Sequence, residues 1–234
     1  MSREKEENLY QIIRKDAKNC FVEVLNDSFA IGRAHLFFAT YDLSKPKNQR
    51  YTNTVDIYLP MSEVVELCRK LESGIFGAKV KEYKANKDSS SLYESLGGIS
   101  AKRLKEKGKQ RKDKKSLSRV MNIIAGQKAD IMLIAESGAG EESDKGLIVP
   151  KFGDNPENKV VVGMTFAAFS EMVLMTKLHY SAWLTGWYQH RSTVIKSQRQ
   201  VKEESQDDEE KYDDDLDDYE DTDYDDRDGY DDIE

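Results

Sequence analysis

Ile31-Gly32-Arg33-Ala34-His35-Leu36-Phe37-Phe38-Ala39-Thr40-Tyr41 alternates two kinds of side chain. Successive residues of a strand point to opposite faces. Gly32, Ala34, Leu36 and Phe38 therefore share one face, and Ile31, Arg33, His35, Phe37, Ala39 and Tyr41 share the other. The first set reads as core. The second combines cations, which pair with phosphates, and flat rings on which unpaired bases stack. The competing reading is that Phe37 and Tyr41 pack against another layer of the protein.

Working outward, Phe21-Val22-Glu23-Val24-Leu25 on one side and Tyr51 to Leu59 on the other have strand composition. Turn residues separate them at Asn26-Asp27-Ser28 and Lys45-Pro46-Lys47-Asn48. Three strands make a meander. The third adds Arg50 and Tyr58 on the parity opposite Val55, Ile57 and Leu59, which extends the candidate platform. Pro60 and Ser62 then start a helix in which Val64, Val65, Leu67, Cys68 and Leu71 recur at helical spacing, and Gly74 ends it. The unit is β-β-β-α, with room for a further strand.

The second half repeats this order. Strand signals cover Ser118 to Ile124, Ala129 to Glu136, Gly146 to Phe152 and Lys159 to Met164, and a long helix starts near Thr165 and runs through Trp183. Leu67-Cys68-Arg69-Lys70-Leu71 and Leu174-Met175-Thr176-Lys177-Leu178 hold matching helix positions, but the repeated order of elements is the stronger argument for duplication. The expected fold is thus α+β, built from antiparallel sheets in two β-β-β(-β)-α halves, about 8–80 and 116–190. The polar segment 82–115 joins them, with Ser89-Ser90-Ser91 and Gly97-Gly98 marking loop and a helix over part of it.

Charge is unevenly distributed. Residues 201–234 hold 20 Asp and Glu against 3 Lys and Arg, a net of −17, which leaves 33 basic and 24 acidic residues in 1–200, a net of +9. A segment so acidic and so poor in apolar residues reads as a disordered tail. Its recurrent Tyr212, Tyr219, Tyr224 and Tyr230 give it the aromatic-and-anion pattern of a nucleic acid. The densest positive charge is Lys102, Arg103, Lys105, Lys107, Lys109, Arg111, Lys112, Lys114 and Lys115, followed by Arg119. Such a run is either a solvated loop or a nucleic-acid-binding arm.

Few signs of catalysis or cofactor binding are present. His35, His179 and His190 show no metal-ligand spacing, and Cys20 and Cys68 form no CxxC pair. Gly138-Ala139-Gly140 lacks the rest of a dinucleotide fingerprint and reads as a loop. The expectation is no enzyme, no catalytic residue, no metal and no cofactor, with a nuclease built from body carboxylates as the rival. The N-terminus has no apolar leader, and Glu171, Lys177 and His179 interrupt the most apolar stretch, Val160 to Trp187. The reading is a cytoplasmic protein with no membrane role.

A basic body with two sheet-then-helix halves and an acidic tail resembles single-stranded DNA-binding proteins of phages and mobile elements. The order of elements over residues 8–190 is similar to the whirly, or transcription-coactivator-like, fold. That resemblance implies oligomers that coat single-stranded DNA along exposed strands during replication or transfer, without much sequence preference. It also gives the tail a role in modulating binding or recruiting replication proteins. The chain ends Asp231-Asp232-Ile233-Glu234 and lacks the Pro-Phe ending of bacterial single-strand-binding proteins of OB type, so docking to the same partners is not implied. Alternatives are binding of RNA, regulation of transcription on duplex DNA, and a scaffolding role in which basic run and acidic tail join subunits.

Overall fold

Four antiparallel strands follow one another across the first sheet: β1 (Gln11–Ala17), β2 (Cys20–Leu25), β3 (Arg33–Tyr41) and β4 (Tyr51–Pro60). The computed structural model describes the backbone of residues 9–209 and the side chains of residues 9–194. Cross-strand register brings Val22, Phe38 and Val55 into one row and Val24, Leu36 and Ile57 into the next. All six are buried, as the alternation of β3 requires. β1 is an addition to the three strands read from sequence. Its charged residues Arg14, Lys15 and Asp16 hide the pattern, but Asn19, at φ 59°, closes a tight turn that pairs Ala17 with Cys20.

α1 (Met61–Glu72) buries Met61, Val64, Leu67 and Cys68. Gly74, at φ 76°, ends that course, and α2 (Ile75–Asn86) begins at once. The apolar pattern in the sequence stops at Gly74. What sustains α2 is tertiary: Phe76 and Val80 are buried, and Phe76 stacks on Phe169 at 5.4 Å.

The second sheet begins inside the segment expected to be irregular. β5 (Ser91–Ile99) pairs with β6 (Ser116–Ala125), and α3 (Ala101–Glu106) lies between them, capped by the Ser100 hydroxyl, which accepts from the Arg103 backbone N–H. β5 alternates weakly because only half-buried and exposed residues make it up; its partner strand, not its own hydrophobicity, defines it. β7 (Ile131–Glu142) continues the sheet, pairing through its far end with β8 (Ile148–Pro150) and through its first half with β9 (Asn158–Met164). Gly138-Ala139-Gly140 lies within β7 and is not the loop expected. A Cβ at Gly138 would meet the Phe152 ring at 2.8 Å, and one at Gly140 would meet Ile148 at 2.7 Å. These glycines let neighbouring side chains lie directly on the backbone.

Met121, Ile123, Ile131, Leu133, Val160 and Val162 form the buried face of this sheet. The first sheet meets it mainly through β4, which packs against β6, β7 and β9, and the Cys20 thiol donates to the Val161 carbonyl at 3.2 Å. α4 (Phe166–Glu209) follows, its first backbone N–H held by the Asp130 carboxylate at 3.0 Å. Lys84 pairs with the same carboxylate and holds its pKa down. Phe169, Met172 and Val173 bury the start of α4. The molecule is therefore α+β, with two antiparallel sheets each followed by helix.

The chain divides into two compact units, one ending at Tyr180 and one starting at Ser181. In the second, Trp183 and Trp187 stack at 5.9 Å and the Arg191 guanidinium lies 4.7 Å from the Trp187 ring. α4 also runs to Glu209, past the start of the acidic segment at residue 201. The rest of the expected disordered tail, 210–234, lies outside the described residues.

Candidate nucleic-acid interface

The face of the first sheet opposite its core carries the predicted site residues, and register adds others. β3 presents Arg33, His35, Phe37 and Tyr41; β2 sets Phe21 opposite Ala39 and Glu23 opposite Phe37; β4 sets Tyr58 opposite His35 and Tyr51 opposite Tyr41. β1 contributes Arg14, opposite Glu23. Phe21, itself fully buried, is the hub of an aromatic cluster, with ring centroids 5.9 Å from Phe37, 6.2 Å from Tyr41 and 5.8 Å from Tyr51. The Arg14 guanidinium sits 3.6 Å from the Phe21 centroid and is steadied by Asp16 at 2.8 Å. Favourable cation–π geometry of this kind adds about 0.5–1 kcal/mol at exposed sites.

An open cleft of about 300 Å³ lies over this cluster, lined by Arg14, Phe21, Tyr41, Leu43, Arg50 and Tyr51. Tyr51 is 57% exposed and Leu43 66%. Arg50 precedes β4 and is not part of the strand as expected; its Nε donates to the Lys45 carbonyl at 3.2 Å, and it pairs with no carboxylate among the described residues. The cleft thus offers aromatic surface next to guanidinium groups.

Further along the same face the chemistry changes. His35, expected in the exposed platform, is buried, and each ring nitrogen meets a carboxylate: Nδ1 to Asp27 at 2.9 Å and Nε2 to Asp56 at 3.0 Å. Only the imidazolium can donate to both. Burial alone would lower the His35 pKa, but the hydrogen bonds to Asp56 and Asp27 outweigh it and hold the pKa above the ordinary histidine value. The bond from His35 in turn holds Asp56 below its ordinary value, with Arg119 and Lys109 adding to the effect. His35 stacks on Tyr58 at 4.5 Å, and the Arg119 guanidinium, from the second sheet, lies 5.4 Å from the Tyr58 centroid and 3.9 Å from Asp56.

Of the basic run, Lys102, Lys105, Lys107, Lys109, Lys112, Lys114 and Lys115 are exposed. Arg103 is half-buried in α3. Arg111 is committed to the fold, because Asp113 and Glu157 both receive its guanidinium and hold its pKa raised. Lys109 acts electrostatically on Asp56, so this part of the run approaches the β4 end of the face.

Arg14, Phe21 and Tyr51 were not singled out from sequence. Phe21 lies in a recognised strand, but its place opposite Ala39 depends on register, and Arg14 lies in the unrecognised β1. Among the described residues no cluster of three or more His, Cys, Asp or Glu is arranged to hold a metal ion, and no helix is long and apolar enough to cross a membrane. No family model, curated protein or solved structure matches the chain.

Proposed function

We propose that the chain binds single-stranded DNA along the outer face of its first sheet, without enzymatic activity and with little sequence preference. The observation that carries this reading is the Phe21–Phe37–Tyr41–Tyr51 cluster flanked by Arg14 and Arg50 under an open cleft. Tyr51 is the exposed ring of the cluster, Phe37 and Tyr41 are half-buried and Phe21 is buried; stacking on an exposed ring is tolerant of base identity, and arginines beside it neutralise phosphates. A duplex, whose bases are already stacked, gains nothing from the rings.

The exposed lysines of the 102–115 run add counterion-release affinity, and the net −17 tail competes with DNA for the basic body or recruits replication proteins. Coating by oligomers in the cytoplasm, during replication or transfer of a phage or mobile element, is the setting that the element order and charge layout favour. The test is titration of labelled oligothymidylate, a duplex of equal length and single-stranded RNA. Single-stranded DNA should bind most tightly, with Tyr51→Ala weakening it by about 1–3 kcal/mol. Equal binding to duplex, or indifference to Tyr51→Ala, would refute the stacking reading, tighter RNA binding would replace the ligand, and metal-dependent cleavage would replace the function.

A further inference from the structure

The edge strand of the first sheet, β4, approaches the edge strand of the second, β5, and a narrow cleft opens there. Tyr58, Ser95, Gly97 and Gly98 line it together with Arg33 from β3 and Arg119 from β6. Each sheet therefore supplies one arginine. Arg33 has no ion-pair partner among the described residues. Arg119 stands 3.9 Å from Asp56, too far for a hydrogen bond, and that carboxylate is already engaged by His35. Both guanidinium forks keep donors free.

The two glycines differ in a way that points to a ligand. Gly98, at φ 155°, is demanded by the fold, because a Cβ there would overlap the Leu117 carbonyl. Gly97 is not. Its backbone is ordinary for a strand, and a Cβ would meet only the Arg119 carbonyl, at 3.9 Å. Gly97 pairs with Arg119 in register, so a side chain at 97 would stand beside the Arg119 side chain, on the face that lines the cleft. No packing or conformational need explains the missing side chain, whereas an approaching group would.

We propose that this cleft seats one phosphate group between Arg33 and Arg119, with the Gly97 backbone as its uncovered wall. On the single-strand reading above, from which this source is taken, the group is a phosphodiester of the bound strand. Guanidinium forks match phosphate oxygens in pairs, and β5, as an edge strand, has backbone groups on its outer side that the ladder leaves unused. Tyr41 and Arg33 lie at opposite ends of β3, about 27 Å apart at the usual rise. A strand crossing the face meets rings at one end and the phosphate seat at the other.

Gly97→Val and Arg119→Gln test the seat on the full chain, with inorganic phosphate and labelled oligothymidylate as separate probes. Valine suits a strand, and unfolding temperature without anion reports whether each variant folds; Arg33→Gln replaces any that does not. Phosphate should raise the unfolding temperature of the parent and not of the variants. Each variant should lose about tenfold or more in oligonucleotide affinity, and removing one arginine from the phosphate should cut the log–log salt slope by roughly 0.7. Folded variants that keep the phosphate shift, the affinity and the slope overturn the seat while leaving single-strand binding standing. A phosphate shift absent from the variants, with no oligonucleotide binding by the parent, upholds the seat for free phosphate and refutes the single-strand reading.

Discussion

His35 holds two carboxylates at once, so its proton is part of the fold. Because its folded pKa is raised, its stabilising contribution is fully present below the ordinary histidine value of about 6.5 and is lost as pH rises through the folded value. Asp56 works in the opposite sense: its folded pKa is lowered, so its contribution is present above the ordinary carboxylate range and disappears in acid. The pair is at its strongest between those limits. His35→Gln should therefore destabilise by about 1–3 kcal/mol near pH 6, since Asp56 and Asp27, each more than a third exposed, lose their shared partner while solvent screens part of the loss. The gap from the parent should narrow on the alkaline side. Thermal unfolding of both proteins across pH checks this, and parallel curves would remove His35 from the electrostatics of the sheet.

At the scale of elements, the proposed function gives the first sheet one face for folding and one for binding, and substitutions should separate them. Phe38→Ala, in the buried row with Val22 and Val55, should cost about 3–5 kcal/mol of stability. Replacing Lys105, Lys107, Lys109 and Lys112 with Ala should leave the unfolding temperature unchanged and lower both oligonucleotide affinity and its salt slope, by roughly 0.7 for each phosphate no longer neutralised. An unchanged slope would mark these lysines as solvated surface. Arg111 is best left in place, because its ties to Asp113 and Glu157 make it a structural residue. The alternation of β3 and β4 was legible in the sequence because period-two patterning survives wherever one face is buried. β5 was not, because it buries no residue fully and carries two adjacent glycines. The site was legible only in part for a related reason. Parity places Phe37 and Tyr41 on one face, but the company of Arg14, Phe21 and Tyr51 comes from pairing between strands, which a single strand does not reveal. His35 misled for the same reason, since its partners Asp27 and Asp56 come from a turn and from the neighbouring strand.

At the scale of the whole molecule, the proposed function has a net −17 tail competing with DNA for the surface of a net +9 body. On that reading, tethering would give the tail a high effective concentration, and salt would weaken its competition. Truncation after Gln200 should tighten single-stranded DNA binding at low ionic strength, and the difference should shrink as salt rises. Equal affinities at low salt would leave the tail to solubility or to recruitment of partners. The stacked indoles of Trp183 and Trp187 have a separate consequence. They are the chain's only tryptophans and both lie past Tyr180, in the second compact unit, so intrinsic fluorescence excited at the indole band is a private channel onto the helix. Both sheets are silent in that channel, while tyrosine emission and far-ultraviolet dichroism sample them. Denaturation followed in both ways would make the helix and the sheets distinguishable without any label, by whether the two signals melt together or apart.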